Sequence, residues 1–285
     1  MKLVTFTRRG STHIGKLVEH NGAAVVDLTE AGLPAEMISF LQGGAPLLEK
    51  AAHVSSDQAV PLASVKLHAP IPRPGKIICI GLNYSDHAAE TGQAIPKFPV
   101  VFAKYANTVI ADGEAIVLPK VTEQVDYEAE LGFVIGTKVR GATLDDAMAY
   151  VAGYLPVNDV SARDYQNRTS QWSMGKTFDT FAPMGPALVT ADEVPDPHNL
   201  SIRLTIGGET LQNSNTSNLI FNIPQLIVAL SEVMTLEPGD VVSTGTPPGV
   251  GMARKPQRWM RAGETCTITI EKVGTLHNPV VAEGA

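Results

Sequence analysis

Val125-Asp126-Tyr127-Glu128-Ala129-Glu130-Leu131-Gly132-Phe133-Val134-Ile135-Gly136 is the stretch whose reading decides the fold. Read as a strand, it alternates faces, so Tyr127, Leu131, Phe133 and Ile135 point one way and Asp126, Glu128 and Glu130 the other. One face is core and the other is acid. Neighbouring carboxylates on the second face stand roughly 7 Å apart at Cβ, given about 3.3 Å of rise per residue, and repel unless positive charge lies between them. An acidic edge facing water would need no such charge. This strand, however, runs on into Gly132-Phe133-Val134-Ile135-Gly136, apolar enough on both faces to be interior. Carboxylates rising from an interior strand need a metal or a cationic partner. Oxygen-only ligands suit magnesium, manganese or calcium better than zinc.

The 285 residues can hold one large domain or a large domain with a small one, and 44% hydrophobic content suffices for a sizeable core. A net charge of −7, with no basic run and no basic amphipathic helix, argues against nucleic acid and anionic membrane as partners. A small molecule is the expected partner. No apolar run approaches the ~18 residues of a membrane span, and Met1-Lys2-Leu3-Val4-Thr5-Phe6-Thr7-Arg8-Arg9 is interrupted too early for a signal peptide. A cytoplasmic protein is expected. Cys79 and Cys266 lack metal-ligand spacing and read as buried thiols.

Before about Ala69, Leu3 to Phe6, Ile14 to Val18 and Ala23 to Leu28 read as strands, the last two joined by an Asn21-Gly22 turn. Pro34 opens a helical pattern through Met37, Ile38 and Leu41 that Gly43-Gly44 ends. Pro70, Pro72 and Pro74 punctuate the chain, dividing an accessory domain, residues 1–69, from a second domain, residues 70–285. Beyond a buried strand at Lys76 to Ile80, Ser85 or Asp86 can cap a short helix in which His87 and Glu90 share a face. A carboxylate at that spacing orients an imidazole and raises its basicity. A solvated turn carries the same spacing, so His-x-x-Glu alone is weak. Thr91 to Pro99 has the composition of a loop that could close over a substrate.

Thr143 is expected to cap a helix carrying Leu144, Met148 and Val151. The strand Tyr154 to Val160 delivers Asp159, which either caps the following helix or supplies a third hard ligand. Gly175-Lys176-Thr177 matches the end of a phosphate loop, but Ser170 stands where its first glycine should be. We therefore reject a phosphate loop; Lys176, among aromatic and apolar neighbours, could instead polarise a carbonyl. Leu200 to Leu211 reads as a hairpin around Gly207-Gly208, and Gln212 to Asn218 as a surface loop without chemistry. Asn222 and Pro224 start a helix, and Thr244 to Gly251 forms a Gly/Pro-rich loop that offers hydroxyls and N–H groups to a carboxylate.

Five pieces in order resemble the fumarylacetoacetate hydrolase family, in the branch of acylpyruvate hydrolases, oxaloacetate decarboxylases or tautomerases, and hydroxyheptadienedioate isomerases. They are Gly81-Leu82-Asn83-Tyr84 with His87 and Glu90; Asp126 to Glu130; Asn158 to Asp164 with Gln166; Gly175-Lys176; and Thr244-Gly245-Thr246-Pro247. The resemblance covers roughly Pro70 to Val281. It implies an α+β, mostly β fold: a mixed β-sandwich roll with a small N-terminal α/β domain, usually in a homodimer. It further implies Mg2+ or Mn2+, with Ca2+ as a substitute, on Glu128, Glu130 and Asp159; Tyr84, Arg163, Gln166 and Thr246 against the bound keto acid; His87 with Glu90 as the water-activating pair; and Lys176 at the developing oxyanion. Some relatives carry arginine where this chain has Leu82, so a cation for the far end of a substrate is missing here.

The main expectation is metal-dependent hydrolysis of the C–C bond of a 2,4-dioxo acid. The alternative is isomerisation, tautomerisation or decarboxylation by the same enolate chemistry. A keto-acid sensor without turnover is the rival outside enzymes, and it would have no use for the His87 and Glu90 pair.

Overall fold

Alternating apolar side chains build two packed sheets in the computed structural model, which describes residues 1–19 and 22–284. Asn21, half of the expected Asn21-Gly22 turn, lies outside the described residues. The larger sheet has eleven strands. One path through it runs Val60–Pro61, Ala23–Asp27, Ser11–Glu19, Lys2–Arg8, Leu188–Thr190, Val151–Asn158, Ala129–Ile135, Val241–Ser243, Ile77–Gly81, Val100–Lys104, and Lys66–His68 pairs with Lys2–Arg8 off that path. Pairing is antiparallel except between Val241–Ser243 and Ile77–Gly81. The second sheet has five strands, in the order Glu209–Asn215, Ser201–Ile206, Thr265–Ile270, Gly274–Ala282, Ile116–Leu118. The architecture is thus α+β and mostly β. The N-terminal strands continue the large sheet, because Leu3 pairs with Leu188.

The strand Ala129–Ile135 runs through the middle of the large sheet and is buried at every residue. Leu131, Phe133 and Ile135 face the core between the two sheets, against Ile202, Leu204 and Ile268. Val134 faces a second core shared with Leu3, Phe40 and Val241. Alternation therefore puts apolar side chains on both faces, and the acid is confined to the strand's N-terminal end. The stretch is also not one strand. Val125–Asp126 pairs separately with Ser161–Ala162, and Tyr127-Glu128 forms the step between the two pieces.

Two local expectations fail for identifiable reasons. The helix expected after Thr143 is only a single tight turn, Ala147–Tyr150, because Val151 already pairs with Ile135 in the large sheet. β-Branched Val151 gains more from that ladder than from another helical turn. At the His87 helix, Ser85–Thr91, the N-cap is Tyr84 and no side chain caps it; Asp86 instead accepts from Ser214 Oγ at 2.6 Å and Asn218 Nδ2 at 3.0 Å. The hairpin around Gly207-Gly208 forms as read, both glycines having positive φ.

Helix Ile223–Val233 starts with a capping box, Asn222 Oδ1 accepting from Gln225 N–H at 3.1 Å and Gln225 Oε1 from Asn222 N–H at 2.9 Å. Its Leu226, Ile227 and Leu230 enter the inter-sheet core. The chain just before it is tied to Asn83, which donates to Phe221 O and Thr244 O and accepts from Phe221 N–H. This start also anchors the turn that leads into the His87 helix. We predict that Asn222→Ala lowers stability in urea unfolding by about 1 kcal/mol and that Asn222→Ser stays near the parent; equal loss in both would remove the cap from the account.

Candidate active site

Pairing of Ala129 with Asn158, and an Asp159 N–H to Glu128 O bond of 3.0 Å, set the start of strand Ala129–Ile135 beside the end of strand Val151–Asn158. Glu128, Glu130 and Asp159 are all buried, and each can offer an oxygen so that the three lie within 4.8 Å of one another. Three hard oxygens at the adjoining ends of two paired strands fit a divalent cation of the magnesium, manganese or calcium kind.

Five of the six oxygens of this cluster already have protein partners. Lys176 Nζ donates to Glu128 Oε2 at 2.8 Å and to Asp159 Oδ2 at 2.7 Å. Lys104 Nζ donates to Asp159 Oδ1 at 2.5 Å, and Arg163 Nη2 lies 2.7 Å from Glu128 Oε1. Glu130 has no cationic partner among the described residues; its Oε2 accepts from Ser243 Oγ at 2.5 Å and Gly245 N–H at 2.9 Å. The two glutamates separate accordingly. Burial, then the charges of Asp159 and Glu128, pushes the Glu130 carboxyl up to about 8. Burial opposes charge on Glu128 too, yet Lys176 and Arg163 outweigh it and bring that carboxyl down to about 2. Burial likewise opposes the Lys176 ammonium, but Asp159 and Glu128 hold it above the ordinary lysine range.

A cavity of about 130 Å³ opens onto this cluster. Glu128, Glu130, Asp159, Lys176, Arg163, Gln166, Thr246 and His87 all line it, so the structure brings together eight of the ten site residues read from the sequence. Glu90 stands behind His87, its Oε2 2.9 Å from His87 Nδ1 and its Oε1 accepting from Gly249 N–H at 2.9 Å. A carboxylate only accepts, so Nδ1 carries the proton and Nε2 of the neutral ring is left basic. Tyr84 does not line the cavity. It is fully buried, its hydroxyl has no partner among the described residues, and burial raises its phenol.

One wall is apolar, with Ile80, Leu82, Phe102 and Trp172. Leu82 holds φ +49°, a left-handed conformation that costs a bulky residue about 1–2 kcal/mol. Lys176 Nζ lies 4.9 Å from the Phe102 ring centre, a cation–π contact on the apolar side of the cluster. Gly175 lets the lysine-bearing turn approach so closely, since a Cβ there would stand 2.4 Å from Gln166 N.

Several functional side chains escaped sequence reading. Lys104 ends an edge strand, and nothing local marks it as buried. Asp126, read with the acid face, binds Arg163 Nε at 2.8 Å and accepts from Gly251 N–H at 2.7 Å and Met252 N–H at 3.0 Å. Gln212, expected in a surface loop, lies within strand Glu209–Asn215 and is fully buried. The Gly/Pro loop was read as offering its N–H groups to a substrate. Those of Gly245, Gly249 and Gly251 go instead to Glu130, Glu90 and Asp126.

Residues 76–281 match the family model for the fumarylacetoacetate (FAA) hydrolase C-terminal domain. The chain is 44% identical over 289 residues to a mitochondrial oxaloacetate tautomerase of Xenopus laevis, covering 99% of this chain and 90% of that protein. Its likeness to a mitochondrial oxaloacetate tautomerase of Rattus norvegicus is 43% over 288 residues, covering 99% and 92%. The crystal structure of maleylpyruvate hydrolase from Sphingobium sp. SYK-6, with manganese(II) and pyruvate bound, superposes with a TM-score of 0.83 at 31% identity and covers 99% of both chains. These relatives correct the expectation of a cytoplasmic protein, because the frog and rat proteins are mitochondrial. No helix among the described residues is long and apolar enough to cross a membrane.

The raised Glu130 carboxyl makes cation binding pH-dependent. An ordinary glutamate ionises near 4.5 and Glu130 near 8, so the stability this group lends the metal-free protein is complete below 4.5 and is lost as pH rises through about 8. A cation needs the ionised form. We predict that Mn2+ affinity rises with pH up to about 8 and that each ion bound near pH 6.5 displaces close to one proton. Calorimetry in buffers of different ionisation enthalpy measures this, and heats independent of the buffer would contradict it.

Proposed function

This chain belongs to the fumarylacetoacetate hydrolase family, and we propose that it is a divalent-metal-dependent tautomerase acting on a short 2-oxo acid, oxaloacetate first among the candidates. Likeness to oxaloacetate tautomerases along nearly the whole chain supports this reading over C–C hydrolysis. The observation that carries it is one oriented imidazole facing the carboxylate cluster across a small cavity. A proton shift needs a base and a place for charge, and nothing more.

We assign Glu128, Glu130 and Asp159 to a Mg2+ or Mn2+ ion, which when bound supplies a Lewis acid for the charge that develops on the 2-oxo oxygen. His87 Nε2 takes the proton from C3 of the keto acid, the C3–H electron pair becomes the C2=C3 bond, and the imidazolium returns the proton to oxygen. In the enol-to-keto direction the transfers reverse. Glu90 holds the ring in the productive tautomer and balances the imidazolium. Lys176 spends two of its three N–H bonds on Glu128 and Asp159 and directs the third at the developing oxyanion. Arg163, fixed by Asp126, Glu128 and Gln166, and the Gln166 amide orient the substrate carboxylate. Leu82, Phe102 and Trp172 limit water on the opposite wall.

Residues 70–285 form the catalytic part in this proposal, since every assigned side chain lies there, and residues 1–69 the accessory part; the homodimer belongs to the proposal too. Hydrolysis stays the second reading because the superposed maleylpyruvate hydrolase acts on such acids and holds pyruvate with manganese.

Enol-to-keto conversion of oxaloacetate, followed by ultraviolet absorbance with Mg2+ or Mn2+ and with chelator, tests the reading beside product analysis on acetylpyruvate and fumarylpyruvate. We expect metal-dependent acceleration, a loss of about 10²–10⁴-fold in His87→Ala with Mn2+ affinity retained, and a smaller loss in Glu90→Gln. Cleavage of the acylpyruvates without any effect on oxaloacetate would replace tautomerisation by hydrolysis.

A further inference from the structure

Leu211 and Gln212 are consecutive residues of one strand, yet both are buried, at 4% and 0% exposure. The paired strand exposes Ser201 and Arg203, so this sheet has a solvent face and a regular strand would send one of the two outward. The register explains the exception: Leu204 pairs with Gln212 but Thr205 with Thr210, so Leu211 is an extra residue, a β-bulge. Bulges re-aim side chains and gather beside active sites. This one turns Gln212 inward toward the strand that bears Glu128 and Glu130.

Gln212 meets that strand where its neighbour has left it. Val241–Ser243 pairs with the carboxylate strand from Val134 to Gly132, Thr244 N–H still reaches Leu131 O at 3.1 Å, and Gly245 to Pro247 then leave the ladder beside the cavity. Ala129, between the two glutamates, therefore has no strand on that side. Gln212 Oε1 accepts its N–H at 2.9 Å and Thr246 Oγ1 donates to its carbonyl at 3.0 Å. Gln212 Nε2 closes the ring by donating to Thr246 Oγ1 at 2.8 Å and to Pro247 O at 2.8 Å. The Thr246 hydroxyl spends its only proton on the Ala129 carbonyl.

The bulge reaches the proton-transfer side as well. Gly249, at φ +103°, lies so near Leu211 that a Cβ there would stand 2.0 Å from Leu211 O, and Arg254 spans the two by bonding Leu211 O at 2.6 Å and Gly249 O at 3.2 Å. Gly249 N–H is the group that fixes Glu90.

We propose that Gln212 is a positioning residue: delivered by the Leu211 bulge, it replaces the missing strand beside Ala129 and so sets the spacing of Glu128 and Glu130 and the course of the Thr246–Gly249 loop. The proposal rests on the assignment of those glutamates to a cation but not on which keto acid reacts. Its test is therefore Mn2+ titration calorimetry of the chelator-treated full chain without keto acid, beside thermal unfolding of the metal-free protein. Gln212→Met and Thr246→Val should each weaken Mn2+ binding about tenfold or more, the double variant should lose no more than either single, and Thr246→Ser and the exposed Thr210→Ala should match the parent. Mn2+ affinities within about twofold of the parent in Gln212→Met, or losses that multiply in the double variant, would overturn the proposal. If Gln212→Met unfolds, the Thr246 pair decides alone: loss in Thr246→Val with recovery in Thr246→Ser supports the strut, and equal affinities reject it. A parent that binds no Mn2+ would instead sink the metal assignment itself.

Discussion

Four buried carboxylates, Asp126, Glu128, Glu130 and Asp159, lie within one small region, and their mutual repulsion is the constraint that the rest of the structure answers. Three buried cations, Lys104, Arg163 and Lys176, compensate three of them and leave one negative charge over. That residue falls on Glu130, the acid with neutral donors only, and it shows as the raised carboxyl. Removing Arg163 would leave Asp126 buried without a cationic partner, a far larger loss than a surface pair would cause. Below about pH 8 a proton neutralises Glu130, and a bound cation would take that proton's place.

The neutral donors are as organised as the charges. One loop, Thr244 to Met252, gives backbone N–H groups to Glu130, Glu90 and Asp126, so three carboxylates with different tasks are indexed to a single piece of chain. Gly245 and Gly249, both at φ +103°, set the path of that loop between the strands. A backbone donor cannot swing away as a side chain can, which fixes these carboxylates at little entropic cost.

The two-sheet architecture makes such a centre affordable. The carboxylate strand is anchored by apolar packing on both faces along Leu131 to Ile135, and the polar site is confined to the end where the neighbouring strand departs. The apolar grip lies outside the chemistry, so the site's irregularities, the step at Tyr127-Glu128, the left-handed Leu82 and the bulge at Leu211, sit on a scaffold that tolerates them.

Sequence alone determined the strand character of Ala129 to Ile135, the acid at its start, the His87–Glu90 pairing and the Asn222 helix start, because each depends on neighbours within a few residues. Periodicity, capping and the resemblance of five spaced motifs reach that far. Only the tertiary structure decided that Lys104 stands beneath Asp159, that Asp126 holds Arg163 instead of joining the ligand set, and that Gln212 turns inward. In each case the partner lies 37 or more residues away in sequence, and for Lys104 and Gln212 the burial depends on an edge strand's place in a sheet or on a register shift. No local pattern carries that information: a lysine at a strand end and a glutamine beside a turn look the same whether solvent or a buried carboxylate strand awaits them.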